Sequence, residues 1–169
     1  MAENKTGSGA GIMLLMVLAF IIVVGVIIFQ FKFVLAPQEK MTDTLQKIEE
    51  INTLENQKWD DFMAACKTNE DEKIIEAAAD GVDQVRKSTL EIQELNIADS
   101  IDKTDREKIS QMQEILVNKY KYREETYYHV GKYFEDNRLE EQNLYDAAKS
   151  QAEKYEEQYI SLKDSIIIK

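Results

Sequence analysis

The sequence has little cysteine and histidine, two residues on which many catalytic and metal sites depend. Its 169 residues include one cysteine, Cys66, and one histidine, His129. A single cysteine cannot close a disulfide within the chain, and one thiol with one imidazole cannot supply the usual ligand set of a zinc site. The sequence also has no glycine-rich phosphate-binding loop, no nucleophile elbow and no zinc-type spacing. We therefore expect no enzyme activity, no catalytic residue, no cofactor and no metal.

Residues that break helices are almost missing from most of the chain. The one proline is Pro37, and from residue 38 onward the glycines are Gly81 and Gly131. Proline and glycine are the residues that most often interrupt a helix, so their scarcity predicts an all-α domain. The 132 residues from 38 to 169 suffice for one domain with a modest core.

Charge is missing from one long segment. Of the 32 acidic and 21 basic residues, Glu3, Lys5 and Lys32 precede Pro37 and the others follow it. The segment 12–35 is nearly all apolar, and at about 1.5 Å per residue it is long enough for a hydrocarbon core of roughly 30 Å.

The chain is therefore predicted to have three segments, two before Pro37 and one after it. They are a flexible polar tail at 1–11, a transmembrane helix at 12–35 that contacts the lipid bilayer, and an acidic helical bundle at 38–169. The residues Phe31, Lys32 and Phe33 are predicted to lie at the membrane boundary, where aromatic and long basic side chains are favoured. Pro37 is expected to mark a restart of the chain outside the membrane.

A cleaved signal peptide is the rival interpretation of the apolar segment. Its apolar region usually has about 7 to 15 residues and ends in small residues, whereas this run is longer and ends in bulky ones. We favour a single-pass protein of the cell membrane. An uncleaved signal anchor with a short tail favours an extracytoplasmic domain, whereas a literal count of flanking lysines favours a cytoplasmic one.

Apolar residues recur every three or four positions in four stretches of the polar part, which is typical of amphipathic helices. The predicted helices are 38–66, 70–98, 104–135 and 138–165. The first stripe includes Leu54, and the third has Arg123 at one of its apolar positions. The sequence Thr104-Asp105-Arg106-Glu107 is a capping box that predicts the start of the third helix.

A bend near residues 135–138 decides the architecture. Without it the last helix would be about 90 Å long, with nothing to pack against in its second half. Four helices of matched length favour an antiparallel four-helix bundle, and the alternative is an extended helical hairpin or an oligomeric coiled coil. Such a bundle would return Ile166, Ile167 and Ile168 toward the membrane.

Tyrosine is concentrated in the last third of the chain, since all eight tyrosines follow residue 119. Tyrosine is enriched at protein interfaces because it provides a large contact area at low entropic cost. We predict that Tyr122, Tyr128, Tyr133 and Tyr145 bind a partner. The alternative is a tyrosine-rich core between the last two helices.

Carboxylate pairs such as Glu49-Glu50 and Glu156-Glu157 are interpreted as solvated helix faces. Cys66 is interpreted as a small buried apolar residue, and His129 as a lone residue in an aromatic patch. The domain 38–169 has 31 acidic and 19 basic residues, a net charge of −12, which disfavours nucleic acid as a partner.

In layout, a span followed by a helical bundle resembles the ligand-binding domains of bacterial chemoreceptors and the LemA-type membrane proteins. The exit Phe33-Val34-Leu35-Ala36-Pro37 resembles that of b-type stalk subunits of ATP synthases, although the interruptions near residues 68 and 104 depart from a continuous stalk. We expect a non-catalytic accessory or scaffold subunit that binds other proteins of a membrane complex or associates with itself. A sensory or ligand-binding bundle and a stalk-like subunit are the alternatives.

Overall fold

The computed structural model describes residues 7–68, 70–136 and 139–166, and the side chains within 16–68, 70–134 and 140–166. Five elements are α-helices, and a π-helical turn at Phe31–Leu35 joins the first two. The helices are α1 (Gly7–Gln30), α2 (Ala36–Ala65), α3 (Asp71–Glu94), α4 (Lys103–Asp136) and α5 (Leu139–Asp164). The described part contains no strand, and the predicted all-α fold with four bundle helices is confirmed.

The bend predicted near residues 135–138 falls between α4 and α5, which are separate helices. Asn137 and Arg138 lie outside the described residues, as do the first six residues of the predicted tail and Ile167 and Ile168 at the other end.

The expected restart of the chain at Pro37 is wrong, because α1, the π-helical turn and α2 form one uninterrupted rod. In an α-helix, a proline ring collides with the carbonyl group four residues earlier. Here the preceding turn is wider, since the backbone N–H of Ala36 donates to the carbonyl oxygen of Phe31, five residues back. A π-helical turn of this kind makes room for the ring while the chain continues as a helix.

The N-terminal part of the rod is long and apolar enough to cross a membrane. Between Met16 and Ala65 the rod contains an 18-residue stretch with a mean hydropathy of 2.7, and no part of that stretch is buried by the bundle. Apart from Val24, its large apolar side chains are exposed from Met16 to Leu35. The length and composition of this segment agree with the predicted span.

The bundle consists of two helical hairpins, α2 with α3 and α4 with α5. Helix α3 packs closely against α4, and antiparallel pairing is visible in contacts such as Arg86 with Glu124. In the described part of the chain, the Cα atoms of α2 and α5 nowhere come within 8 Å of each other. Since helices in direct contact have axes about 8–10 Å apart, α2 and α5 are separated by a gap, here called the α2–α5 seam.

The apolar stripes of α3 and α4 form most of the core. Ile74, Ala78, Val85 and Ile92 of α3 are buried, as predicted from the second stripe. Helix α3 nevertheless ends at Glu94, four residues before the predicted end, because Leu95 takes an extended conformation. The side chain of Gln113 donates to the carbonyl oxygens of Ile92 (3.1 Å) and Leu95 (2.8 Å), which pairs helix-end carbonyls that would otherwise lack a partner.

Helix α4 begins at Lys103, one residue before the predicted start. The carboxylate of Asp102 accepts a hydrogen bond from the backbone N–H of Thr104 at 2.8 Å. This is the bond expected of an N-cap residue, so Asp102 caps the helix and the predicted capping by Thr104 is wrong.

The closest approach of α3 to α4 depends on a glycine. The ring of Tyr127 lies over Gly81, where an added Cβ would be 2.4 Å from the ring carbon Cζ. In contrast, a Cβ at Gly131 of α4 would meet nothing within 4 Å. Gly81 and Gly131 are therefore both helical, but only Gly81 has no room for a side chain.

We predict that Gly81→Ala lowers the free energy of unfolding by about 1–3 kcal/mol, because the methyl group displaces the Tyr127 ring and its neighbours. The matched control Gly131→Ala should raise it by up to about 1 kcal/mol, since alanine is the better helix former and has room there. Urea unfolding followed by circular dichroism measures both. Equal effects of the two substitutions would contradict the close α3–α4 contact.

Candidate functional site

The core-facing side of α2 carries polar residues in its middle. Asn52 and Glu55 are buried there, between the apolar positions Ile48 and Trp59. Leu54, which the sequence pattern assigns to the apolar stripe, is 50% exposed, so that assignment is wrong. The spacing from Ile48 to Asn52, Glu55 and Trp59 is four, three and four residues, and it places the polar residues at true core positions.

Two basic residues of α4 face these polar residues across the core. Lys119 is fully buried and Arg123 nearly so. The Lys119 ammonium donates to the side-chain oxygens of Asn52 at 2.6 Å and Asn56 at 2.8 Å. Arg123 donates to Asn56 at 2.8 Å and forms an ion pair with Glu55. The amides and the carboxylate of α2 therefore replace the water that these cations lose on folding.

Helix α5 adds one carboxylate, that of Glu156, to these charged groups. Glu156 forms an ion pair with Lys119, and one of its oxygens is 3.8 Å from an Arg123 nitrogen. Lys119 also lies 3.7 Å from Glu55, so two cations and two anions alternate. We call these four residues the buried ion cluster. Glu156 is only 25% exposed, and its interpretation as part of a solvated face is wrong.

An aromatic wall closes the cluster on the side away from the apolar helix α1. The guanidinium group of Arg123 lies 4.6 Å from the centroid of the Trp59 ring, within the range of a cation–π interaction. Trp59 in turn contacts Phe62 and Tyr127, with ring centroids 5.8 and 5.7 Å away. The charged groups are thus fixed by packing as well as by hydrogen bonds.

Burial changes the proton affinities within the cluster. Burial raises the pKa of Glu55, although the charges of Arg123 and Lys119 oppose the rise. Burial also lowers the pKa of Lys119 to about 8, and the positive charge of Arg123 adds to this effect. Both shifts follow from the cost of holding a charge in a medium of low polarity.

A second contact across the seam lies nearer to the apolar helix α1. The carboxylate of Glu49 accepts a hydrogen bond from the Tyr159 hydroxyl at 2.8 Å and forms an ion pair with Lys163 at 2.8 Å. Partial burial acts to raise the pKa of Glu49, but the bonds from Lys163 and Tyr159 outweigh it and the pKa is lowered. The Glu49 side chain is 44% exposed, so it pairs with α5 while it stays in contact with solvent.

The four tyrosines predicted to bind a partner do not share one surface. Tyr122 stacks on Tyr155 of α5, with ring centroids 5.7 Å apart. Tyr133 and Tyr145 line a cavity of about 370 Å³ at the end of the bundle away from the apolar helix α1. Tyr128 is 56% exposed. Their role in partner binding stays a prediction.

The cysteine and the histidine lie near the same end of the bundle. Cys66 is half-buried beside the cavity that Tyr145 lines, and burial raises the pKa of its thiol. Nδ1 of His129 is 2.7 Å from a carboxylate oxygen of Glu141. Within the described ranges, no group of three histidine, cysteine, aspartate or glutamate residues is placed to hold a metal ion.

The residues predicted at the membrane boundary lie in the π-helical turn. Phe31 and Phe33 are exposed there, and the Lys32 ammonium is 5.9 Å from the Phe33 ring centroid. The ring of Phe33 also contacts Phe29 with centroids 5.1 Å apart.

Comparison of the chain with protein-family models, with curated proteins and with solved structures finds no match.

We predict that Glu55→Gln lowers the free energy of unfolding by about 3–5 kcal/mol, because it leaves two buried cations with a single carboxylate. The matched control is Glu124→Gln, which removes an exposed ion pair with Arg86 and should cost less than about 1 kcal/mol. Denaturant unfolding measures both. A cost below 1 kcal/mol for Glu55→Gln would contradict a tightly paired cluster.

We also predict that the domain unfolds as pH rises above about 10. Burial raises the pKa of Tyr120, Tyr127 and Tyr159, and it raises that of Tyr145 to about 12. The folded chain then holds more protons than the unfolded chain above the ordinary tyrosine pKa of about 10. Each such tyrosine therefore removes up to about 1.4 kcal/mol of stability per pH unit.

Lys119 raises the stability of the folded chain as pH increases, but only between its folded pKa of about 8 and the ordinary value of 10.5. Absorbance of tyrosinate in native and guanidinium-unfolded protein measures the difference. Identical titration curves for the native and the unfolded protein would contradict the prediction.

Proposed function

We propose that this chain is a non-catalytic, single-pass scaffold subunit of the cell membrane, whose helical bundle holds other proteins of a membrane complex. The observation that carries the proposal is the uninterrupted rod, since the helix of the apolar segment is also the first helix of the bundle. The 50 residues from Met16 to Ala65 correspond to about 75 Å of continuous helix. A bundle mounted in this way keeps a fixed height and direction relative to the bilayer.

A rigid mount favours a positioning role over a freely moving tethered domain. A flexible linker would let the domain search a large volume, whereas a helix transmits the orientation of the span to the bundle. The charge of −12 on residues 38–169 keeps such a surface soluble and disfavours anionic partners. We place the bundle on the extracytoplasmic side, on the argument of an uncleaved signal anchor.

A sensory or ligand-binding bundle is the second candidate. It is supported by the cavity of about 370 Å³ that Tyr133 and Tyr145 line, because ligand sites are concave and mostly apolar. A small molecule that binds there would raise the melting temperature of the chain. The stalk-like alternative shares the continuous rod, but a stalk does not require α3 to fold back onto α2.

The scaffold proposal predicts that a flexible insertion breaks function without breaking anchoring. A Gly-Ser linker of eight residues inserted between Leu35 and Ala36 uncouples the bundle from the span. We expect the chain to remain in the membrane fraction while its crosslinks to neighbouring proteins in native membranes fall severalfold. The same linker inserted before Gly7 is the matched control and should leave the crosslinks unchanged.

Two results would contradict the proposal. One is a wild-type chain whose crosslinks all lie within its own bundle, which would favour the ligand-binding candidate. The other is an unchanged crosslink pattern after the insertion at Leu35, which would show that the rigid mount is irrelevant to partner binding.

A further inference from the structure

A cavity of about 420 Å³ lies where the rod enters the bundle. Its apolar wall includes Phe33 and Val34 of the π-helical turn and Ile101 of the connection between α3 and α4. Its polar side includes Asp105 and Lys108 from the first turns of α4. The fold therefore brings the start of α4 and the last residues of the apolar segment to one cavity.

The proposed membrane anchoring sets the depth of this cavity. The segment 12–35 is about 36 Å long as a helix, roughly 6 Å more than the hydrocarbon core that it would cross. The excess is about four residues, which places the end of the π-helical turn in the layer of lipid headgroups. Phe33 and Val34 then line a cavity that opens at the depth of the phosphate and its substituent.

The polar side of the cavity carries both signs of charge. Lys108 is half-buried, and its ammonium donates to the carbonyl oxygen of Ser165 at 3.2 Å, which leaves two of its three N–H groups for other acceptors. Asp105 is also half-buried, and its carboxylate forms neither a hydrogen bond nor an ion pair within the part of the chain that the structure describes. The Asp102 carboxylate lies on the same side and caps α4.

We infer that this cavity binds the headgroup of an ethanolamine phospholipid from the surrounding bilayer. The inference rests on the proposed membrane anchoring. The phosphate of such a lipid meets the Lys108 ammonium, and its primary ammonium, which has three N–H donors, meets the Asp105 carboxylate. The first carbons of the acyl chains follow the apolar wall formed by Phe33 and Val34.

Other common headgroups fit the cavity less well. An anionic lipid without an amine brings a second negative charge to Asp105 and Asp102, and it offers no donor to either carboxylate. A choline headgroup has the right net charge, but its quaternary ammonium has no N–H to donate and is best bound by a cage of aromatic rings. The cavity has the single aromatic wall residue Phe33 among the described residues that line it.

The test uses the full chain reconstituted in vesicles of phosphatidylcholine, alone or with equal parts of phosphatidylethanolamine or phosphatidylglycerol. Flotation of the vesicles reports anchoring, and native mass spectrometry after extraction in a mild detergent reports which lipid stays bound. We expect the chain to float with all three and to retain phosphatidylethanolamine from the mixture about tenfold over phosphatidylcholine.

Asp105→Asn should remove this preference, whereas Lys108→Gln should lower the retention of both lipids, because both carry the phosphate that Lys108 is proposed to bind. The matched control is Glu107→Gln, which changes an exposed carboxylate of the same helical turn that pairs with Lys103 and does not line the cavity. Circular dichroism of each variant verifies that the bundle is folded.

The outcomes separate the two proposals. A chain that floats with none of the vesicles overturns the membrane anchoring and the lipid site together. A chain that floats with all of them but retains phosphatidylethanolamine no better than phosphatidylcholine, or prefers phosphatidylglycerol, overturns the lipid site alone. The same result follows if Asp105→Asn and Glu107→Gln behave alike.

Discussion

Charges buried away from water must be paired, and this requirement shapes the bundle around the ion cluster of Glu55, Lys119, Arg123 and Glu156. The cluster takes its members from α2, α4 and α5, although α2 and α5 have no direct backbone approach in the described part of the chain. Charged side chains therefore hold the seam at a distance that apolar packing alone would not maintain. Replacing such a cluster with apolar residues is often neutral for stability, whereas removing one partner alone is costly, so the completeness of the pairing is what this core requires.

The two contacts that join the hairpins, α3 with α4 and α2 with α5, differ in character. The contact of α3 with α4 is apolar and close, to the point that Gly81 must lack a side chain beneath Tyr127. The contact of α2 with α5 is made by long polar side chains, with Glu49 bound to Tyr159 and Lys163 at the end nearer to the apolar helix α1. The bundle thus has one tightly packed edge and one edge held largely by charged and polar side chains.

The helices were predictable because their number, order and approximate ends follow from apolar periodicity, and so was the apolar span. The buried ion cluster was not, because the pattern treats a charged residue as exposed. The signal was nevertheless present in the sequence, since Glu55 and Arg123 occupy core positions of their own stripes with opposite charges. Their pairing depends on which helices become neighbours, which no local pattern specifies. Pro37 was misjudged for a related reason: whether a proline ends a helix depends on the hydrogen bonding of the turn before it.

Helix α2 is the element through which the span and the seam are connected. Its N-terminal end continues the apolar rod, and its middle supplies Glu49, Asn52 and Glu55 to the seam. Because the rod has no break at Pro37, a change in the direction of its apolar part changes the direction of α2 as well. Apolar contacts of α2 with α3 tolerate small sliding motions, whereas charged contacts weaken steeply once hydrogen-bond geometry is lost. A change in the direction of α2 would therefore disturb the charged contacts of the α2–α5 seam before the apolar contacts between α2 and α3.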